Sequence, residues 1–349
     1  MLKQFLCMSV ILGCSANAMA QTAPVPADKF DMMNWKITVP EDRDKNGKID
    51  EIEGVAMFSY SNSNYFFLDK DGNMVFQVQN KAITTSGSSN ARSELRQMLR
   101  GTDLNIGVKD PLNNWTLAAN PNADKFGSIG GKLEATLKVN HVATHANQPD
   151  KYPAYSVVVG QIHADKNPQQ LKDKTGFGYG NEPLKIFYKK WPGHDKGSVF
   201  WNYERNLAKD DPNRTDIAYP VWGNTWENKD DPKDAGLALG EEFSYVVDVE
   251  GNIMHLTFTS KNHKTVEYNV DLTKNLMPDG KVDKKDNPHG YAQDAMYFKA
   301  GVYGQCSVKD DGGFWSPGCA GTGDFAADVK TGDYNSVSFS KLELTSFKK

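Results

Sequence analysis

The sequence lacks an excess of charge of one sign, internal repeats and any clustering of cysteine. Its 349 residues contain 40 lysines and arginines against 44 aspartates and glutamates, for a formal net charge of −4 at pH 7. This balance argues against a general nucleic-acid-binding or membrane-surface protein, so a polyanionic partner would need a local basic site. The four cysteines show no C-x-x-C-type spacing, which disfavours a zinc site.

The only long apolar run lies at the N-terminus. Lys3 precedes apolar residues 5–13, and residues 18–20 have the small-x-small pattern of a cleavage site. The run is too short to span a membrane. We therefore predict a signal peptide over residues 1–20 and a secreted or periplasmic protein. The alternative is lipid attachment at Cys14, which would make the chain an outer-membrane lipoprotein.

The rest of the chain divides into a short leader and one domain. Residues 21–29 are small and include proline, so we expect a flexible leader there. Residues 30–349 show no second composition class and no low-complexity block, so they are assigned to a single domain. We expect this domain to be a monomer.

Two cysteines remain once the predicted signal peptide is removed. Cys7 and Cys14 lie within the signal, whereas Cys306 and Cys319 stay in the mature chain. An even pair in an oxidising compartment predicts a disulfide between them.

Short segments of alternating apolar and polar residues recur along the chain, while helical periodicity is scarce. The segments are rich in β-branched and aromatic residues and are separated by Gly, Asn and Asp, which is typical of antiparallel strands. They predict an all-β protein, most simply a single jelly roll made of a two-sheet antiparallel sandwich. We expect a hairpin over 242–260 and long loops over 206–236. The other predicted strands are 74–79, 132–142, 155–163, 184–191, 254–260, 264–270 and 337–346.

Three of these segments carry a hydrogen-bonding or ionisable face backed by a more apolar one. In a strand, residues i, i+2 and i+4 point to the same face. Each segment alone can be explained without a functional site, for example as a solvated ion-pair ladder or by a structural histidine. If the three strands are neighbours, however, their polar faces combine into a groove. The residues on these faces are Arg92, Glu94, Arg96, Gln161, His163, Tyr297, Lys299, Tyr303 and Gln305.

The same three segments resemble the signature blocks of alginate lyases of polysaccharide lyase family seven. Residues 92–96 read RSELR, 161–163 read QIH and 297–305 read YFKAGVYGQ, in the family's order. The third block departs from the pattern at Gly304, where many members carry Asn. The resemblance implies a β-jelly roll whose concave sheet binds an anionic chain of mannuronate and guluronate, with no metal or cofactor needed for catalysis.

The candidate residues suit the chemistry that this resemblance implies. Such lyases remove the C5 proton of a 4-linked uronate and expel the C4 oxygen, so the site must neutralise the adjacent carboxylate. Arg92, Gln161 and Arg96 can do this by charge-assisted pairing and amide donation. His163 is the candidate base and Tyr303 the candidate acid.

The remaining residues of the blocks are expected to support this reaction. Lys299, together with the arginines, would lower the pKa of Tyr303. Glu94 would orient the two arginines, and Tyr297 and Gln305 would bind substrate. In the resembled family, isoleucine in the central block goes with activity on guluronate-containing substrate, and Ile162 stands here. We therefore predict activity on guluronate-containing blocks. We also expect the cleavage to be endolytic.

Two other function classes fit parts of this pattern. A non-catalytic carbohydrate-binding module would use the same sandwich but would not need His163 and Tyr303 together. A jelly-roll glycoside hydrolase needs paired carboxylates, and no strand carries the Glu-x-Asp-x-x-Glu arrangement of such enzymes. The lyase is therefore the favoured hypothesis.

An acidic segment after the first strand matches the twelve-position calcium loop of EF-hands. Gly47 falls at position 6, but Pro40 just upstream forbids an entering helix. The alternatives are a structural calcium site, with no part in catalysis, and a solvated acidic loop. The candidate ligands are Asp42, Asp44, Asn46, Lys48 through its backbone carbonyl, Asp50 and Glu53.

Overall fold

The larger of two facing sheets carries the candidate site. The computed structural model describes residues 23–309, 315 and 317–347, so the predicted signal peptide, with Cys7 and Cys14, lies outside the described residues. Nearly all regular structure in the described part is β-strand, which confirms the predicted sandwich. The strands are β1 (Trp35–Thr38), β2 (Glu51–Ile52), β3 (Phe66–Leu68), β4 (Met74–Gln79), β5 (Arg92–Gln97), β6 (Trp115–Thr116), β7 (Ser128–Ile129), β8 (Gly131–His141), β9 (Ser156–Ala164), β10 (Leu184–Lys189), β11 (Lys196–Glu204), β12 (Asp216–Trp222), β13 (Leu237–Ala238), β14 (Glu242–Glu250), β15 (Ile253–Ser260), β16 (His263–Asp271), β17 (Met296–Gly304) and β18 (Tyr334–Thr345).

The two sheets have simple strand orders. The larger sheet runs β12-β11-β10-β9-β17-β5-β1-β2, with β13 beside β11, β6 beside β17 and β7 beside β6. The smaller sheet runs β16-β15-β14-β8-β18-β4-β3. Neighbouring strands are antiparallel, apart from the short parallel pair β6 and β7.

Helices are few and short in the described residues. The two α-helices are α1 (Pro168–Lys172) and α2 (Phe325–Thr331). The 3₁₀ helices are Pro26–Asp28, Gly54–Phe58, Pro111–Asn113, Ala123–Lys125 and Lys233–Ala235. No helix among these is long and apolar enough to cross a bilayer.

The core lies between the sheets and follows the alternation of the strands. On β8, every second residue from Leu133 to Val139 is buried, and β14 buries Phe243, Tyr245 and Val247 in the same way. The central strands β9 and β17 of the larger sheet are buried on both faces, and polar side chains cover the face opposite the core. This second layer is the candidate site.

The segment 206–236 contains long loops, as expected, and between them lies β12, which pairs with β11 at the edge of the larger sheet. Within the expected flexible leader, Pro26–Asp28 form a 3₁₀ helix, and Pro26 is buried. The predicted hairpin is present as β14 and β15, and the predicted disulfide joins Cys306 to Cys319 with their Cα atoms 4.9 Å apart.

Candidate active site

The three sequence blocks lie on three adjacent strands. In the larger sheet, β17 lies between β9 and β5. Lys299 is the register partner of both Gln161 and Arg96, and Tyr303 is the partner of Arg92. The expectation that their polar faces combine is therefore confirmed.

A bulge in β9 sets which side chains of that strand reach the groove. Both neighbouring strands pair with Gly160 and then with Val158, so Val159 is skipped. Val159 and Gly160 consequently both face the core, and Gln161 and Val158 both face the groove. A Cβ atom at Gly160 would lie 2.6 Å from the hydroxyl of Tyr245, so only glycine fits there.

Glu94 is the centre of the polar face. Its side chain is buried, lies 3.3 Å from Nη1 of Arg92, and contacts Nζ of Lys299 and the amide nitrogen of Gln161. Burial lowers the pKa of Lys299 to about 8; Glu94 opposes this shift and Arg92 adds to it. Glu94 therefore holds three of the proposed substrate-binding donors in one place.

Arg96, which was expected to help bind the substrate carboxylate, has its own set of buried partners. It is buried, and its guanidinium donates to Asn114 at 2.8 Å and pairs with Asp165 at 3.4 Å. It also lies 3.8 Å from the ring centroid of Tyr297. Of the two arginines expected to be oriented by Glu94, Arg92 pairs with it, whereas Arg96 pairs with Asp165.

Tyr297 is buried between Arg96 and His163. Its ring stacks on the imidazole with 5.2 Å between centroids and an interplanar angle of 9°. Tyr297 therefore supports the histidine from one side and does not line the cleft over the blocks, where it was expected to bind substrate. Gln305 donates to the carbonyls of Tyr303 and Gly304 and borders a neighbouring cleft.

His163 has a hydrogen-bond acceptor at each ring nitrogen. Nδ1 lies 2.7 Å from the carbonyl oxygen of Ala164, and Nε2 lies 3.2 Å from Oε1 of Glu182. Glu182 was not among the residues predicted from the sequence.

Tyr303 lies beside two cations. The guanidinium carbon of Arg92 is 4.2 Å from its ring centroid, and Nζ of Lys299 is 5.5 Å away. Its hydroxyl lies 3.4 Å from Oγ of Ser88, which also accepts a hydrogen bond from Arg92. Tyr303 thus lies beside both cations, with Ser88 next to its hydroxyl.

A cleft of about 500 Å³ lies over these residues. Its lining includes four of the predicted residues with proposed catalytic roles, Arg92, Gln161, His163 and Tyr303, together with Lys299. A second cleft of about 230 Å³ shares Glu182, Arg214 and Tyr303 with the first and adds Trp226 and Trp315. Five cationic side chains face the larger cleft, against the one carboxylate of Glu182, which suits an anionic chain: Arg92, Lys166, Lys209, Arg214 and Lys299.

A network of buried charges on β10 and β11 escaped the sequence analysis. Lys185 lies 2.8 Å from Asp216 and 3.4 Å from Glu182, and Arg214 pairs with Glu204 at 2.5 Å. The available signal was the polar side chain of Lys185 in an otherwise apolar strand. That signal is weak, because a single lysine in a strand is usually solvated.

The acidic loop brings three of the six predicted calcium ligands together. One carboxylate oxygen from each of Asp42, Asp44 and Asp50 lies within 4.8 Å of the others. Glu53 is not with them, because it pairs with Arg100 at 2.6 Å, so the prediction for Glu53 is wrong. A 3₁₀ helix follows the loop where an EF-hand has a long helix.

Asn46 and the backbone carbonyl of Lys48 are the other two candidate ligands in the same loop. The side-chain oxygen of Asn46 accepts the backbone N–H of Lys48 at 2.8 Å. The backbone N–H groups of Asn46 and Gly47 donate to the Asp42 carboxylate. Much of the acidic charge is thus already bound by the loop itself.

The matching family model and a sequence relative are both described as alginate lyases. The family model described as alginate lyase matches residues 30–346. An alginate lyase of Klebsiella pneumoniae is 35% identical over 292 residues, which cover 81% of this chain and 85% of that protein.

Solved structures of the same kind are also similar. The crystal structure of the alginate lyase from Klebsiella pneumoniae has a TM-score of 0.70 and 31% identity, covering 93% of this chain and 99% of that chain. An exolytic PL7 alginate lyase from Zobellia galactanivorans has a TM-score of 0.71 and 34% identity, with the same coverage.

Proposed function

The chain belongs to the alginate lyase family, and on this premise we propose that it is a member of polysaccharide lyase family seven that cleaves 4-linked mannuronate and guluronate chains by β-elimination. The polysaccharide lyase activity itself follows from the family. The observation that carries the finer proposal is that Arg92, Gln161, His163 and Tyr303, from three separate sequence blocks, line one cleft.

The first requirement of the reaction is neutralisation of the uronate carboxylate beside C5. The C5 proton is only weakly acidic while that carboxylate is charged, and negative charge builds up on it as the proton leaves. Arg92 supplies a planar two-donor group, Lys299 a second cation and Gln161 an amide donor. Their shared contact with Glu94 positions all three before substrate binds.

The second requirement is a base at C5 and an acid at the C4 oxygen. Tyr303 protonates the departing oxygen, so it lies on the ring face that carries this oxygen. Mannuronate and guluronate are C5 epimers: the C5 proton is syn to the oxygen in mannuronate and anti to it in guluronate. At mannuronate, deprotonated Tyr303 therefore takes the C5 proton and passes it to the departing C4 oxygen. At guluronate, His163 is the base and protonated Tyr303 is the acid.

Replacement of the base and of the acid tests these roles. On polyguluronate, His163→Ala or Tyr303→Phe should reduce kcat by roughly 10² to 10⁴ if each group transfers a proton in the transition state. The assay is the ultraviolet absorbance of the conjugated C4=C5 double bond, which hydrolysis or binding does not produce. Matched controls are His255→Ala and Tyr334→Phe on the smaller sheet, which should keep full turnover. Near-normal turnover in both site variants would contradict the assignment of His163 as the base and Tyr303 as the acid.

The endolytic mode and the guluronate preference are part of the proposal. The two clefts meet at Glu182, Arg214 and Tyr303, which leaves room for sugar residues on both sides of the acid and supports internal cleavage. Ile162 is fully buried in the core, so any influence on block preference acts through the placement of β9.

Product analysis separates the modes. Endolytic cleavage lowers the viscosity of alginate well before much double bond accumulates, whereas release of short products from the start would indicate an exolytic enzyme like the Zobellia relative. Initial rates on polyguluronate and polymannuronate measure the block preference, and faster cleavage of polymannuronate would contradict it.

We also propose that Asp42, Asp44 and Asp50 hold a structural calcium ion. Carboxylate oxygens are the ligands that calcium prefers, and an ion bound only by the folded chain raises its stability by mass action. Chelator should then lower the melting temperature while turnover at low temperature stays nearly intact. Unchanged melting and no calcium by elemental analysis would leave a solvated acidic loop.

Location and assembly complete the proposal. We propose secretion after cleavage at residue 20, and the Cys306–Cys319 bond supports an oxidising compartment. The intact mass of the mature protein distinguishes this from lipid attachment at Cys14. We propose a monomer, which light scattering coupled to size-exclusion chromatography tests.

A further inference from the structure

An apolar row lies beside the polar residues on the groove face of the larger sheet. Tyr303 is the register partner of Val158, and Val158 is also the partner of Phe187. Phe187 is in turn paired with Phe200, so the row crosses β17, β9, β10 and β11. The ring of Trp226 packs against both phenylalanines, with 4.7 Å between centroids in each case. The row therefore leads from the candidate acid to Trp226, which lines the second cleft.

Trp315 adds an exposed aromatic surface to the second cleft. Its side chain is 38% exposed and lines this cleft. Its ring centroid lies 6.2 Å from that of Trp226 and 5.7 Å from that of Tyr152. The Cys306–Cys319 bond closes the segment of chain that contains Trp315. Because the C–H face of a pyranose ring is apolar, an exposed aromatic ring in a cleft of this kind suits a sugar.

The second cleft differs from the larger one in its charge. Its lining has two cations and three carboxyl groups: Lys185, Arg214, Glu182, Glu204 and Asp216. Lys185 is held by Asp216 and Glu182. The Arg214 side chain pairs with Glu204 but is 31% exposed, against 12% for Lys185. The second cleft therefore offers one accessible cation for a uronate carboxylate, and much of the binding must come from ring stacking and from hydroxyl groups that donate to the carboxyl groups.

The position of Tyr303 relates the two clefts to the two sides of the bond that breaks. In β-elimination the bond between C4 of the reacting uronate and its oxygen breaks, and the oxygen leaves on C1 of the neighbouring sugar. Arg92 and Gln161 bind the reacting ring in the larger cleft, while Tyr303 protonates the departing oxygen. Tyr303 lines both clefts, so a chain whose reacting ring fills the larger cleft continues past Tyr303 into the second.

We propose that the second cleft is a subsite for the leaving-group side of the chain, where Trp315 stacks on a uronate ring and Arg214 pairs with its carboxylate. This inference deepens the proposed function and rests on the proposed roles of Arg92, Gln161 and Tyr303. The part of the chain bound in the second cleft becomes the fragment with the new reducing end. The part bound in the larger cleft becomes the fragment with the C4=C5 double bond and keeps the original reducing end.

A guluronate hexamer with a fluorescent label at its reducing end tests the side of the bond. The label stays on the unsaturated fragment, because that fragment keeps the original reducing end. Loss of the Trp315 ring weakens binding on the leaving-group side, so fewer sugars should lie there. The first labelled fragments should therefore be longer in Trp315→Ala than in the wild type. The matched control is Phe58→Ala, an aromatic side chain 40% exposed outside both clefts, which should give wild-type fragment lengths.

Initial rates on polyguluronate separate stacking from charge. Trp315→Ala should raise KM by about two- to tenfold with kcat little changed, which is the range that one aromatic contact typically contributes. This factor should be the same at low and high salt, because salt does not screen stacking. Arg214→Gln should also raise KM, by a factor that shrinks as salt rises, and Arg214→Lys should restore much of the loss because it keeps the charge beside Glu204.

Each outcome decides a part of this inference. Labelled fragments of unchanged length in Trp315→Ala would show that its ring does not bind the chain, and shorter fragments would place the second cleft on the other side of the bond; either result overturns the inference. A KM effect of Trp315→Ala that vanished at high salt would refute stacking, and a salt-independent effect of Arg214→Gln would refute its pairing with a carboxylate. A wild type that formed no double bond would refute the proposed function instead, and calorimetric titration of the wild type and Trp315→Ala with the same hexamer would still test the cleft.

Discussion

Replacing Glu94 by glutamine should destabilise the arrangement of Arg92 and Lys299, because this carboxylate is the shared partner of these two cations. Arg92 lies 3.3 Å from it and Lys299 contacts it directly. All three side chains are largely buried, so water screens their interactions poorly. In the Glu94→Gln variant, Arg92 and Lys299 face each other with no negative charge between them.

The size of the effect follows from the charges. Two unit charges 4 Å apart attract each other by about 4 kcal/mol at an effective dielectric constant of about 20. Since one pH unit corresponds to about 1.4 kcal/mol, the loss of this attraction is worth about 3 units in the pKa of Lys299. Burial already lowers that pKa to about 8, so the lysine should be neutral at pH 7 in the variant. Removing one partner of a buried ion pair typically costs about 3–5 kcal/mol of stability, and neutralisation of the lysine should keep the loss near the lower end.

Denaturant unfolding and the double-bond assay at pH 7 measure the two consequences. We expect lower stability and a fall in kcat/KM, since one of the cations that bind the uronate carboxylate is lost. The matched control is Glu134→Gln on β8, where the glutamate is partly exposed and pairs with Lys132 at 3.1 Å. Surface pairs contribute about 0–1 kcal/mol, so the control should be nearly silent. If Glu94→Gln matched the control in stability and turnover, Glu94 would not organise the site.

Three further results are expected. Arg92→Lys keeps the charge but loses the planar two-donor group, so kcat/KM on alginate should fall well beyond the effect of an exposed substitution. If Arg92→Ala still cleaved both polymannuronate and polyguluronate, Arg92 would be a structural residue. The wild type should lose kcat/KM above about pH 8 as Lys299 discharges, and Lys299→Arg should move this limb to higher pH. The pKa of Lys299 is about 8 in the folded protein against an ordinary 10.5, so between these pH values the unfolded chain binds more protons than the folded one. The free energy of unfolding should therefore rise with pH in this range, which unfolding measured at several pH values would test. The cysteines of the Cys306–Cys319 bond are 13 positions apart, and reduction should cost roughly 3 kcal/mol of stability. Turnover should also fall, because the bond lies next to the strand that carries Tyr303. An unchanged melting temperature after reduction would contradict this.

Strand alternation explains why so much of the site could be predicted. Side chains in any strand point alternately to its two faces, whatever the strand packs against. Lys299 and Tyr303 on β17 could therefore be assigned to one face from residue spacing alone. The strand and face of Arg96 could be predicted in the same way, but its partners Asp165 and Asn114 could not, because they are distant in sequence.

The acidic loop shows the same limit in a local motif. The spacing of Asp42, Asp44 and Asp50 brings their carboxylates together, since a short turn sets their positions. The position of Glu53, the twelfth of the motif, depends instead on a distant residue. Arg100, far along the chain, pairs with Glu53 and holds it away from the three aspartates.

The sequence by itself determined the sandwich class, the polar faces of β5, β9 and β17, and the disulfide, because each follows from local spacing or from a small count of residues. Only the tertiary structure decided which charges share a buried site. The bulge at Val159, the pairing of Glu182 with His163 and the raised pKa of the buried Glu204 beside Glu182 all depend on segments that are neighbours in space. The physical reason is that electrostatic energy in a buried site depends on the distance between groups and on their removal from water, and neither quantity is written in the order of residues along one strand.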